Sequence, residues 1–303
     1  MQFSSSSQVC KFLPIQYTET MKSIIVDGLK LADEIYQGLR PELQRLKQAH
    51  RPVKLAVVLV GKDSASERYV SRKQEVAQGL GIDFQIMRMS GRSTTAQVQA
   101  AIRRLQQPQR KVAGIIVQLP LPRRLDTAAV LETIDPARDV DGLHPHNLGK
   151  LIRGVAHLLP PTPAGILHIL RRYRIGLTGK HVVMIGAGEL VGRPLVNLLM
   201  RFGATVSVLN RSTPDLNHFT KQADIIVTGV GQPGLLTGSM IARGAVVIDA
   251  GTSFVKGALT GDVDFETVNG KARLLTPTPG GVGPIDVLYL YKNLIDATKL
   301  QLK

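Results

Sequence analysis

Four residues far apart in the chain carry groups suited to work on a flat, polar small molecule. In SERYVSRKQ, Tyr69 and Lys73 stand four apart and share one helix face. A tyrosine there can stack on a planar ring, and a lysine drawn out of water exchanges its proton nearer neutrality. Gln118 closes the apolar GIIVQLP at the carboxyl edge of a strand, where ligands bind in parallel sheets. Asp141, in DVDGLHP, is a loop carboxylate with several roles open to it. Taken alone, a surface Tyr/Lys pair is the simpler reading of the first two.

A second constellation lies in HVVMIGAGELVGRPLVNLL, residues 181–199. An apolar run, three glycines and a helix-like pattern follow one another. The spacing is G-x-G-x-x-x-G, one residue longer than the usual dinucleotide fingerprint. Glycine permits a tight turn and close approach of backbone to phosphate, and the helix start offers unpaired N–H groups to a pyrophosphate. This makes Gly186, Ala187, Gly188, Val191 and Gly192 candidate cofactor contacts. The next strand ends SVLNRSTPD, with no acid at its tip to grip the ribose hydroxyls of NAD. Arg211 and Ser212, flanked by Asn210 and Thr213, suit a 2′-phosphate, so NADP is expected ahead of NAD.

The elements that must position these groups alternate. SIIVDG reads as a strand, and LKLADEIYQGLRPELQRLKQ as a helix with a local irregularity at Pro41. VKLAVVLVG is a strand, SASERYVSRKQEVAQGLG a helix closed by Gly79 and Gly81, DFQIMRM a strand, TAQVQAAIRRLQQ a helix and VAGIIVQL a strand. DTAAVLETI reads as a helix and DPARDVDGLHPHNLGKL as a polar loop. The Pro-rich LPPTPAG looks like a boundary before the helix AGILHILRRY. A second series follows: HVVMIG, VGRPLVNLLMRFG, ATVSVLN, DLNHFTKQ, ADIIVTGV and GAVVIDAG. After TPGGVGP comes a last helix, IDVLYLYKNLIDATKL, expected to pack back on the first domain. Such alternation predicts an α/β protein of two parallel-sheet domains, the second Rossmann-like.

The bulk numbers agree. With 303 residues of which 44% are hydrophobic, the chain can bury sizeable cores. No apolar run reaches 18 residues, so no membrane association is expected. The single cysteine, Cys10, leaves no intramolecular disulfide or cysteine-based zinc site and fits a cytoplasmic setting; no metal is expected. The net charge of +15 is spread as single or paired Lys and Arg, and Trp is absent, so a basic surface spread over the whole protein is the simplest reading, ahead of a nucleic-acid partner or the attraction of a small polyanionic substrate. Residues 1–21 are Ser-rich without period and read as a disordered extension, Met21 being an alternative start.

In combination the motifs become specific. SASERYVSRK, GIIVQLPLP, DVDGLHPHNLG, PTPAGI, GELVGRP, GAVVIDAG, GDVDFE and TPTPGGVGP occur in that order. The chain resembles the bifunctional methylenetetrahydrofolate dehydrogenase/cyclohydrolase family over roughly residues 22–300. The resemblance implies a tetrahydrofolate-binding catalytic domain over 22–160 completed by the helix at 284–303, and a Rossmann domain over 161–283. It implies a homodimer, a place in one-carbon metabolism and purine biosynthesis, and interconversion of methylene-, methenyl- and 10-formyltetrahydrofolate with NADP. Lys73 then matches the catalytic lysine, Gln118 the glutamine that orients it, Tyr69 the stacking tyrosine and Asp141 the carboxylate for the pterin edge. Ser66, Leu119, Pro120, Pro279, Gly280 and Gly281 match the folate pocket.

The cofactor half departs from the family pattern. Ala187 and Gly188 stand where Arg and Ser are usual, so Arg211 would have to supply the charge for the 2′-phosphate. Thr252 falls near the expected nicotinamide end, Pro161 replaces a cysteine, and Ile285-Asp286 replaces Met-Thr; Asp286 is expected to cap the last helix, the other reading being a carboxylate near the nicotinamide that perturbs binding. The expected function is the bifunctional NADP enzyme. A cyclohydrolase with weak or NAD-shifted dehydrogenase activity stands second, and a non-enzymatic binding protein on the same fold a distant third.

Overall fold

The computed structural model describes residues 22–301, so the expectations for 1–21, including Cys10 and Met21, lie outside the described residues. The first half runs β1 (Ile24–Ile25), α1 (Gly28–Gln48), β2 (Lys54–Val60), α2 (Ser64–Leu80), β3 (Asp83–Met89), α3 (Thr95–Leu105), β4 (Gly114–Val117), α4 (Thr127–Leu131) and α5 (Pro145–Ile152). The second runs α6 (Pro161–Arg172), β5 (His181–Ile185), α7 (Gly192–Arg201), β6 (Thr205–Leu209), α8 (Leu216–Thr220), β7 (Ile225–Thr228), β8 (Val246–Asp249), β9 (Ser253–Val255), β10 (Ala258–Thr260), α9 (Phe265–Val268), β11 (Leu274–Leu275) and α10 (Val282–Leu300).

Two parallel sheets result, ordered β3-β2-β4 and β1-β11-β8-β7-β5-β6. Their strands are near-continuous apolar runs, LAVVL, GIIV, IIVT and VVID, as expected where helices cover both faces. β1 differs from expectation: it leaves the first series and pairs in parallel with β11 at the edge of the second sheet. Its two residues are too few to hold a place except at an edge, where Ser23 Oγ also donates to Ala272 O at 2.6 Å. One apolar cluster joins the halves, taking residues from α1, β2, α6, β5, β8 and α10. Helix α10 packs on α1 and α6.

Local chemistry explains the boundaries. Asp63 caps α2 by accepting from Ser66 N at 2.8 Å, and Thr94 with Gln97 forms a capping box on α3. Gly81 closes α2 in the left-handed conformation at φ 63°; Gly79 stays inside the helix, where its carbonyl accepts from the Tyr36 hydroxyl. Pro41 does not interrupt α1, because Leu31, Leu39, Leu43 and Leu46 keep one buried stripe across it. The polar loop after residue 135 contains helix α5, started by Pro145 behind His144. The Pro-rich boundary is the first turn of α6, with Pro161 at its first position. The short elements β9, β10, α9 and β11 carry too few residues to show a period in sequence.

Candidate active site

The two sheets present their carboxyl edges to a cleft of about 650 Å³. Its walls bring together residues from the whole chain: Tyr69 and Lys73 on α2, Gln118 and Leu119 after β4, Asp141, Thr162 on α6, Val191 before α7, Thr252 after β8, and the 277–281 turn into α10.

Lys73 Nζ donates to Gln118 Oε1 at 3.1 Å. Gln118 Nε2 donates to Leu119 O at 2.9 Å, so the amide is fixed with its oxygen toward the lysine. The backbone under Lys73 is held as well, since the Tyr291 hydroxyl of α10 donates to Lys73 O. Burial pushes that phenol well above its usual range. Tyr69 is 37% exposed, its ring open to the cleft.

Asp141 is held by the loop behind it. Asp139 is buried and accepts from His144 N at 2.8 Å and Asn147 Nδ2 at 2.9 Å, while Gly142, at φ 66°, turns the chain against Pro160. Burial raises Asp141 to about 6; the Lys73 charge opposes this and the nearby Asp139 and Asp286 carboxylates add to it. Like charges sharing a dry site behave so.

The turn after β11 is built to be tight. Gly280 has φ 101° and its carbonyl accepts from Gly28 N at 2.9 Å. A Cβ on Gly281 would lie 2.5 Å from Pro277 O, so only glycine fits. Peptide bonds 119–120 and 278–279 are cis. Pro279, Gly280, Gly281 and Leu119 line the cleft; Pro120 is exposed beside it and is not in the lining. Ser66 is also outside the lining: it is buried in the first turn of α2, where it bonds the Asp63 cap.

The glycine turn joins β5 to α7. A Cβ on Gly192 would lie 2.1 Å from Gly186 O, and one on Gly186, at φ 105°, would lie 2.6 Å from Val230 Cγ1. Those two glycines are dictated by the turn itself. Gly188 faces open space, which leaves backbone accessible to a phosphate. Ala187 brings no charge. At the tip of β6, Asn210 Oδ1 accepts from Ser212 N at 2.8 Å and Thr213 Oγ1 from Asn210 N at 3.0 Å, shaping the loop that carries the exposed Arg211. Of the cofactor candidates Val191 and Thr252 reach the cleft lining; Gly186, Ala187, Gly188, Gly192, Arg211 and Ser212 do not, Gly186 and Gly192 being buried in the turn while Gly188 and Arg211 are exposed.

Three sets of residues carry more structure than sequence reasoning gave them. Asp249 is buried and accepts from Gly251 N, Asp262 N and Val263 N; Asp262 accepts from Val230 N at 2.8 Å and Gln232 N at 2.7 Å. These two carboxylates tie together the loops after β7 and β8, and VIDAG and GDVDFE are the signals that hold them. Burial raises both despite those bonds. Arg68 lies 4.0 Å from the centroid of the Phe254 ring, joining α2 to the β9–β10 hairpin. Asp286 does not cap α10: Gly281 holds that position, and Asp286 sits in the second turn, lining the cleft and accepting from Thr162 Oγ1 at 2.6 Å. Among the described residues no group of three or more His, Cys, Asp or Glu could hold a metal ion, and no helix is long and apolar enough to cross a membrane.

Known proteins share this arrangement. The family model for the tetrahydrofolate dehydrogenase/cyclohydrolase catalytic domain matches residues 26–141, and that for its NAD(P)-binding domain matches 160–302. The "Bifunctional protein FolD" of Desulforamulus reducens is 44% identical over 92% of this chain and 98% of its own length; that of Nautilia profundicola is 41% identical over 91% and 97%. The solved bifunctional FolD enzyme of Campylobacter jejuni superposes with a TM-score of 0.89 at 39% identity, covering 92% of this chain and 99% of that one. The Trypanosoma brucei enzyme, solved with NADP and an inhibitor, gives 0.88 at 34%, covering 93% and 99%. With both domain models matched in order and the lysine–glutamine pair set in the cleft between two parallel sheets, the chain belongs to the tetrahydrofolate dehydrogenase/cyclohydrolase family, as a bifunctional enzyme with a catalytic and an NAD(P)-binding domain.

Proposed function

We propose that the cleft converts 5,10-methylenetetrahydrofolate to the methenyl cation with NADP and opens that cation with water to 10-formyltetrahydrofolate. The observation that carries the reading is the Lys73–Gln118 pair, oriented at 3.1 Å in a cleft that also holds Tyr69 and Asp141. Residues 22–160 with 284–303 would act on the folate and 161–283 on the nucleotide, with β1 lending its edge to the second sheet.

Tyr69 stacks on the pterin, and the ionised Asp141 accepts hydrogen bonds from its amidine-like edge. Leu119, Pro279, Gly280 and Gly281 shape the slot. Lys73 Nζ takes a proton from the attacking water and returns one to the ring nitrogen that leaves, while Gln118 Oε1 keeps the ammonium aimed at the bridge. A bound nicotinamide would supply the hydride acceptor for the one-carbon bridge. Val191 and Thr252 would line its end of the cleft, the Gly186–Gly192 turn would receive the pyrophosphate, and Arg211 with Ser212 would hold the 2′-phosphate. The open face at Gly188 and the exposed Arg211 fit that ligand. A cytoplasmic homodimer feeding purine biosynthesis completes the reading.

The test is kcat/KM with NADP and with NAD beside a methenyl hydrolysis assay. A preference for NADP that Arg211→Ala removes supports the assignment; equal values, unchanged in the variant, refute it. The absence of an arginine at Ala187 favours a second reading, a cyclohydrolase with weak or NAD-shifted dehydrogenase activity, and the same assay separates the two.

A further inference from the structure

Of the three carboxylates that line the cleft, Asp249 is tied to backbone N–H groups and Asp141 is assigned to the pterin, which leaves Asp286 without a part in the proposed chemistry. Asp286 projects from the second turn of α10 into the same walls as Lys73, Asp141 and Thr162. The Thr162 hydroxyl donates to its Oδ1 at 2.6 Å, which ties α10 to the start of α6 and fixes where the charge lies. Five residues on, the same helix anchors the backbone of Lys73 through Tyr291. Asp286 therefore shares a rigid support with the lysine and lies close enough to feel its charge.

Of the three folate states only the methenyl form carries a positive charge in its ring system. When the C–H bond of the methylene bridge breaks, its electron pair leaves as hydride for the nicotinamide, and a nitrogen lone pair closes the C=N bond. The ring system gains one positive charge. Water addition with loss of a proton returns it to neutral. A carboxylate in the same cleft favours that cation by charge.

We infer that Asp286 is a specificity-determining residue of this chain, the carboxylate that stabilises the methenyl cation against the neutral folates on either side of it. The inference rests on the folate reading above. A bound cation favours the ionised Asp286, against the burial that otherwise raises it. Holding the cation lowers the barrier to hydride loss and deepens the well from which water must open the ring. The carboxylate thus tilts the enzyme toward the dehydrogenase half-reaction and slows formation of the 10-formyl product.

The experiment compares wild type with Asp286→Asn and Asp286→Thr, the latter restoring the family's usual residue. Affinity is read by stopped-flow mixing with 5,10-methenyltetrahydrofolate before it hydrolyses, and with 5-formyltetrahydrofolate, whose ring is neutral. Both variants are expected to lose about tenfold in affinity for the cation and less than twofold for the neutral analogue. Their ratio of cyclohydrolase to dehydrogenase kcat should rise. Equal losses for both ligands, or no loss for either, overturn the inference. Retained binding of the neutral analogue shows that a variant has folded. If wild type binds neither folate, the folate reading itself has failed.

Discussion

The two sides of the cleft are built on different physical terms. On the folate side the working groups are already bonded to one another: Lys73 to Gln118, Gln118 to the chain, and Asp141 positioned by a loop pinned through Asp139. On the nucleotide side the contribution is backbone shape at Gly186 and Gly192 plus an exposed arginine on a turn. Proton transfer needs oriented side chains in a partly dry site, so it demands prior hydrogen bonds. A diphosphate needs N–H groups and positive charge, which a bare turn and an exposed guanidinium can give. That contrast explains how the charge for a 2′-phosphate could move from the first turn to the second while the folate machinery kept one arrangement.

Lys73→Ala tests the folate side hardest. It should lower methenyl hydrolysis by about 10²- to 10⁴-fold, the usual worth of a positioned acid–base group, with NADP binding by titration unaffected. Unchanged hydrolysis would remove the lysine from the chemistry. Gly192→Ala tests the other side through shape. Its Cβ would meet Gly186 O at 2.1 Å, so the turn must deform, at about 1–3 kcal/mol by thermal unfolding and with loss of NADP binding. Folate affinity should persist, and its loss would mean that the two sides are not separable.

Arg211→Ala should cut kcat/KM for NADP by roughly 10- to 100-fold, the worth of charge-assisted bonds of about 1.5–3 kcal/mol, while leaving NAD alone. A pH profile then separates the sides again. Asp141 must be ionised to accept from the pterin, and it sits near 6 in the free enzyme. Below pH 6 it is protonated, so kcat/KM for folate should fall on acidification through that value, and Asp141→Asn should flatten the limb at a low level. NADP affinity should show no such limb from this group. The sign for stability is the reverse. A carboxyl raised by folding favours the protonated native state, so its contribution is present at low pH and lost as pH rises through about 6. The smallest effect is expected at the bridge between the sides: Phe254→Ala removes an exposed cation–π contact of about 0.5–1 kcal/mol with Arg68 and should raise folate KM by a few-fold at most.

The βα alternation, both parallel sheets, the glycine turn and the Tyr69/Lys73 helix face were legible because each depends on residues close in sequence: apolar strand runs, Asp63 and Thr94 caps, and the i,i+4 spacing. The cleft lysine, glutamine and aspartate could be named from motifs, but their meeting could not be derived from any local period. The pairing of one predicted strand and the presence of one short helix escaped for the same reason. The two-residue β1 crosses to the other sheet because β11 offers it an edge, and α5 hides in a polar run because its eight residues bury only Asn147 and Leu151 and it packs on α7. Asp286 shows the limit most plainly. As a residue near a helix start it reads as a cap, yet where α10 begins is decided by the turn at Gly280–Gly281, whose close packing against Gly28 comes from 250 residues away. Sequence alone determined which chemical groups this protein carries and the order of its elements, since those follow from composition and short-range spacing. Tertiary structure alone decided which of those groups share one cleft and how their charges act on one another, because burial and proximity arise only when distant segments pack.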